Sequence, residues 1–229
     1  LMYPMFYYDS SMIILIPAIL LSLYASFRVN STTKKYFQVR SMKGITGQEV
    51  ARRILDHNGL SNVPVYPVKG NLSDHYDPRG KTVSLSEEVY YGTSITSVSV
   101  AAHECGHAIQ DKESYAPMNF RSTLVPMVNF ASSASWIIIL MGFMVSKNFL
   151  WLGILLFSAT VLFQIVTLPV EFNASSRALN QLEVLGILGP EEKRDGRRVL
   201  NAAALTYVAA ALASILQLVR LILIARDRD

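Results

Sequence analysis

The stretch "LVPMVNFASSASWIIILMGFMVSKNFLWLGILLFSATVLFQIVTL", residues 124–168, holds two apolar runs with only Ser146, Lys147 and Asn148 between them. A helix needs roughly 20 apolar residues to cross a bilayer core of about 30 Å. Residues 124–145 and 149–168 each meet that length, and so short a joint returns the second run across the same layer. The stretch reads as a transmembrane hairpin.

Working outward, two more runs have the same character. "SMIILIPAILLSLYASF" (11–27) ends at Arg28, and "AALTYVAAALASILQLVRLILI" fills 203–224. The first is short, but Tyr7 and Tyr8 are placed to extend it at headgroup level. It reads as a membrane helix and not a signal peptide, since no basic stretch precedes it and no small-x-small cleavage site is evident. Composition agrees: 51% of the 229 residues are hydrophobic, too many for an ordinary soluble domain. The net charge is +4 with basic and acidic residues interleaved, which excludes a nucleic-acid stripe. The single cysteine, Cys105, cannot form an intrachain disulfide and fits a reducing compartment.

Charge sets the expected orientation. Twelve Lys/Arg lie between Arg28 and Thr123 and five between Pro169 and Ala202. Lys/Arg-rich loops stay in the cytoplasm. The opposite side receives Asp9, Lys147 and the tail with Arg226 and Arg228. The division expected is a first transmembrane helix over 1–28, a cytosolic segment over 29–123 and the hairpin over 124–168. A cytosolic helical segment over 169–202 and a last transmembrane helix with its tail over 203–229 complete it.

Within 29–123, Thr46 and Glu49 form a capping box, and the spacing predicts a helix over 46–59. "NVPVYPVKG" reads as an edge strand, because its prolines cannot serve a central ladder. "SDHYDPRG" reads as a turn-rich loop and "KTVSL" as a second strand. A further helix starts near Thr93 or Ser94 and runs to about Lys112.

That helix contains "AAHECGHAIQ", residues 101–110. Positions i and i+4 share a helix face, so His103 and His107 can present two imidazoles to one ion. Neutral imidazole suits zinc. Glu104 lies about 100° around the helix from His103, placed to take a proton from a zinc-activated water without ligating the metal. The flanks "SVSVAA" and "AIQ" are too apolar for a solvated helix, and buried polar groups demand partners. Cys105 points away from the pair and reads as a packed thiol. A third ligand must come from elsewhere. His57 and His75 are available, but Glu171 in "LPVEFNASSRAL" is the better candidate, since two crossings return it to the side of His107. The competing reading makes Glu171 a first-turn partner of a helix dipole that starts at Pro169.

"DHYDPRGKTVSLSEEVYYGTSITSVSVAAHECGHAIQ", together with "LPVEFNASSRAL", resembles the YugP-like family of bacterial membrane zinc metallopeptidases over nearly the whole chain. More distantly it resembles the HtpX-like and CaaX-prenyl membrane proteases, whose second helix carries E-x-x-x-D. Glu171 matches the ligand, but Ser175 stands at the aspartate position. A hydroxyl can hold a ligand histidine's N–H but carries no charge; Asn173 is the other support candidate. The strand with Thr82, Val83 and Ser84 resembles the edge strand on which zinc peptidases lay an extended substrate. His75 leads the candidates for stabilising the tetrahedral oxyanion, followed by Tyr90, Tyr91 and Arg177.

The expectation is a mainly α integral membrane protein with about four transmembrane helices and a small cytosolic α+β zincin-like domain. Its expected activity is that of a gluzincin-like zinc endopeptidase, with one Zn²⁺ per chain on His103, His107 and Glu171 and with Glu104 as general base. The substrates are peptides or membrane proteins. The protein is expected in the bacterial plasma membrane, multi-pass, with its active site on the cytoplasmic side. Small residues in the last run suit contact with membrane-protein partners or self-association. The alternative is a non-catalytic zinc-binding membrane scaffold for protein quality control. A metal transporter is disfavoured, since the spans hold only Arg220 and neutral Asn129, Gln164 and Gln217.

Overall fold

A computed structural model describes residues 10–227; Tyr7, Tyr8, Asp9 and Arg228 lie outside them. The chain is mainly helical. A 3-10 turn, Ser10–Leu15, leads into α1, Ile16–Phe37. Then come α2 (Gly47–His57), strands β1 (Val65–Val68), β2 (His75–Asp77) and β3 (Thr82–Ser86), and α3 (Glu87–Tyr91). The helices α4 (Ile95–Lys112), α5 (Ala116–Met144), α6 (Lys147–Val184) and α7 (Pro190–Arg226) complete it. Among the described residues, four helical stretches are long and apolar enough to cross a membrane: Ser11–Phe37, α5, α6 and α7.

The chain forms two compact units. One comprises residues 10–24, Thr123–Ile165 and residues 208–227. Its centre packs Ile139, Leu150, Ile154, Phe157, Val161 and Leu221. Close contact within the α5–α6 hairpin depends on Gly142, where a Cβ would fall 2.5 Å from the Leu150 backbone. Small residues of this kind let apolar helices pack backbone to backbone. Phe130, Ile137 and Leu155 face outward, each at least 64% exposed. Such an outer surface suits hydrocarbon better than water.

The other unit, Ala25–Ser122 with Val166–Tyr207, carries the polar chemistry. Helix α2 begins at the expected capping box, Thr46 with Glu49, and buries Val50, Ala51, Ile54 and Leu55. That face packs against α4. Helix α4 starts where Ser94 Oγ accepts the Ser97 N–H at 3.0 Å. Fourteen of its 18 residues are buried, so its histidines and Glu104 are held among packed side chains.

Two expectations are corrected here. The segment read as a turn-rich loop contributes β2, and the sheet order is β1-β3-β2. β1 runs parallel and β2 antiparallel to β3. "KTVSL" is therefore the central strand: Val83 and Ser84 have partners on both sides, and Thr82 pairs with Asp77. Its backbone has no free edge for a substrate. Asp74 is the cause, since its carboxylate accepts the Ser86 N–H at 2.7 Å and the Ser86 hydroxyl at 3.1 Å, drawing the 74–77 segment alongside β3. The second correction concerns Pro169, which starts no helix. Helix α6 passes through it unbroken, because an interior proline removes only its own N–H from the ladder and strains one turn. Glu171 thus stands in mid-helix, and the dipole-partner reading falls.

Candidate metal centre

The distance between α4 and α6 is set by the glycine inside the motif. A Cβ on Gly106 would lie 2.5 Å from the Ala174 carbonyl oxygen, so the two backbones meet where any side chain would separate them. Glu171, about one turn before Ala174 on α6, is thereby brought against the histidines of α4. Glu171 Oε2 lies 3.3 Å from His103 Nε2 and 3.6 Å from His107 Nε2. The imidazoles stand edge to face, centroids 4.8 Å apart. One ligand atom from each residue lies within 4.8 Å of the others.

The hydrogen bonds behind these three side chains decide what their atoms offer. Gln110 Nε2 donates to the Val170 carbonyl at 2.8 Å and to Asn173 Oδ1 at 2.9 Å. Its amide is oriented by those two acceptors, so Oε1 faces His107 Nδ1, 3.0 Å away. His107 must then carry its proton on Nδ1, which leaves a lone pair on Nε2. Ser175 Oγ meets His103 Nδ1 at 3.2 Å and can set the same tautomer. Two imidazole lone pairs and a carboxylate oxygen thus converge in a buried place, with Glu171 only 3% exposed. Lone pairs so placed repel one another unless a cation sits among them. Zinc bonds of about 2.0–2.1 Å in tetrahedral geometry put neighbouring ligand atoms about 3.3 Å apart. The donor set, its charge and the two spacings from Glu171 to the imidazoles fit zinc.

The second Glu171 oxygen is held independently. Arg121 Nη1 lies 3.4 Å from Oε1. A cavity of about 280 Å³ opens on the cluster, bounded by Asp74, His103, Glu104, Glu171, Ser175 and Tyr207, with Val29, Leu72, Val100, Val199 and Leu200 supplying apolar wall. Glu104 is 7% exposed. Burial pushes its carboxyl above the ordinary carboxylate range, and the two imidazoles temper the rise. Cys105, fully buried, has its thiol pushed up by burial and directs its sulfur to the Ala51 carbonyl, away from the cluster.

Other expected site residues fall elsewhere. His75 is exposed and pairs through Nδ1 with the Ser73 carbonyl at 2.8 Å; strand alternation gives the cavity Asp74 in its place. Tyr90 and Tyr91 stack edge to face on each other, the first buried and the second 65% exposed. Arg177 binds Asn173 Oδ1 at 2.7 Å and Glu113 at 2.7 Å. Neither tyrosine nor Arg177 borders the cavity. Asn173 instead supports His107 at one remove, through Gln110, and Arg177 in turn holds Asn173. His57 is exposed on α2. Sequence reasoning missed Gln110, Arg121, Asp74 and Tyr207. Gln110 follows His107 by three on the same helix and was detectable by period; a phenol in the alanine-rich "ALTYVAAA" was a weaker signal.

A family model described as "Putative neutral zinc metallopeptidase" matches residues 11–226. The chain belongs to this family. It is also 52% identical over 210 residues to "Putative membrane protease YugP" of Bacillus subtilis (strain 168), spanning 91% of this chain and 93% of that protein. No solved structure matches the chain. Membership of the zinc metallopeptidase family agrees with the donor set derived above. The match also runs through all four long apolar helices.

Proposed function

We propose that this protein is a membrane-embedded zinc endopeptidase that hydrolyses peptide bonds of membrane or membrane-associated proteins. The observation that carries the reading is the meeting of His103 and His107 with Glu171 beside one cavity that also holds Glu104. Bound to those three ligands, zinc would supply a Lewis acid and lower the pKa of water for attack. Glu104 takes the proton of the attacking water and returns it to the amide nitrogen as the C–N bond breaks. Histidine cannot do this, because both imidazoles of α4 are committed as ligands.

Substrate backbone would add to the outer edge of β2. Of the two outer strands, β2 contacts α4 and follows directly on the cavity residue Asp74. β1 is the poorer edge, since Pro67 lacks a donor. This role replaces the one expected of Thr82, Val83 and Ser84. The four long apolar helices support a multi-pass place in the membrane, and the seventeen Lys/Arg of the two polar segments support a cytoplasmic site.

Glu104→Gln tests the reading. The variant keeps the side chain's size and all three ligands, so zinc content should equal that of the wild type. Cleavage of fluorescein-labelled casein should fall about 10²- to 10⁴-fold. A zinc-replete Glu104→Gln protein cleaving at the wild-type rate would sink the mechanism.

A further inference from the structure

Peptide hydrolysis needs a donor for the carbonyl oxygen that gains charge, and the residues expected in that role stand off the cavity. We propose that Tyr207 is that donor, its phenol O–H hydrogen-bonding the oxyanion of the tetrahedral intermediate. The inference rests on the peptidase reading above and adds a catalytic residue to it.

The cavity wall offers four hydroxyls. Thr33 Oγ1 is bound to the Val29 carbonyl at 2.7 Å, and Thr206 Oγ1 to the Ala203 carbonyl at 2.7 Å, each satisfied by its own helix. Ser175 Oγ is engaged with His103 Nδ1. Tyr207 differs, because a phenol oxygen stands too far from its own helix backbone to be satisfied by it, and the side chain borders the cavity together with Glu104 and Glu171. Glu171 does not depend on the phenol, since Arg121 reaches its carboxylate at Oε1. The phenol can therefore aim at an oxygen arriving beside Glu171. Glu104 borders the same cavity, so base and donor address the same small volume. A preorganised donor in a water-poor site is worth far more than the same group in water.

Water oxygen bonds the carbonyl carbon, its proton passes to Glu104, and the π pair of the C=O moves onto oxygen. Tyr207 donates a hydrogen bond to that oxygen and keeps its proton. The pair then returns to re-form C=O, the C–N bond breaks, and Glu104 delivers its proton to the leaving nitrogen.

The test compares Tyr207→Phe with Glu104→Gln in the full-length, zinc-loaded protein, reading kcat and KM on labelled casein and zinc affinity by chelator competition. Tyr207→Phe should lower kcat about 10²- to 10³-fold, with KM and zinc affinity each within about twofold of wild type. Two outcomes overturn the proposal while Glu104→Gln remains inactive: an unchanged kcat, or a zinc affinity that falls in step with activity, which would make Tyr207 only a support for Glu171. If Glu104→Gln itself cleaves normally, the peptidase reading fails and Tyr207 loses its role with it.

Discussion

Gln110 does for His107 what Ser175 does for His103, but more firmly, because its amide is pinned by the Val170 carbonyl and Asn173. Outer partners of ligand histidines typically change metal affinity 10- to 100-fold. Gln110→Leu should therefore weaken zinc binding by about that factor in chelator competition, although every ligand survives. In the proposed site Glu171→Ala removes a ligand outright, and zinc measured by elemental analysis should drop from about one per chain to a small residue. Unchanged zinc in Glu171→Ala would take Glu171 out of the site. At this scale His103, Glu104 and His107 were legible because they share one helix within a single turn. Arg121, 50 residues from Glu171 along the chain, left no such mark.

Among elements, the contact between α4 and α6 matters most, and Gly106 sets it. Its missing Cβ leaves room for the Ala174 carbonyl. Gly106→Ala would improve helix propensity, yet the added methyl must push two backbones apart. Overpacking of this kind costs about 1–3 kcal/mol, more than the propensity gain of about 1 kcal/mol. The variant should unfold at lower temperature in detergent and bind zinc more weakly, since Glu171 retreats from the histidines. A stabilised variant with normal zinc affinity would show that the helices approach for another reason. Helix α2 was readable because a capping box and a four-residue period are local signals. β2 was not, since three residues carry little pattern and its place depends on the Asp74–Ser86 bonds.

For the whole molecule, orientation is the property that charge bias addresses. With Cys105 replaced by serine, a cysteine at Ser31 or at Val184, 60% exposed, should resist an impermeant maleimide in intact cells. One at Asn148, in the hairpin joint, should react. Val184 is preferred to Gly186, whose φ of +58° disfavours any side chain. Strong labelling at Ser31 would reverse the orientation drawn from the Lys/Arg counts.

The four long apolar stretches, the histidine pair and the candidacy of Glu171 were determined by sequence alone. Hydropathy and helical period act on consecutive residues, and crossing parity follows from the number of spans. Which donors surround the ligands was decided only by tertiary structure. Gln110 and Asn173 are 63 residues apart, and Tyr207 borders the cavity of Glu171 from another helix. Their meeting depends on how closely α4 approaches α6 and how α7 lies beside them. That follows from the shapes of side chains such as Gly106 against Ala174, a property of pairs that no single stretch encodes.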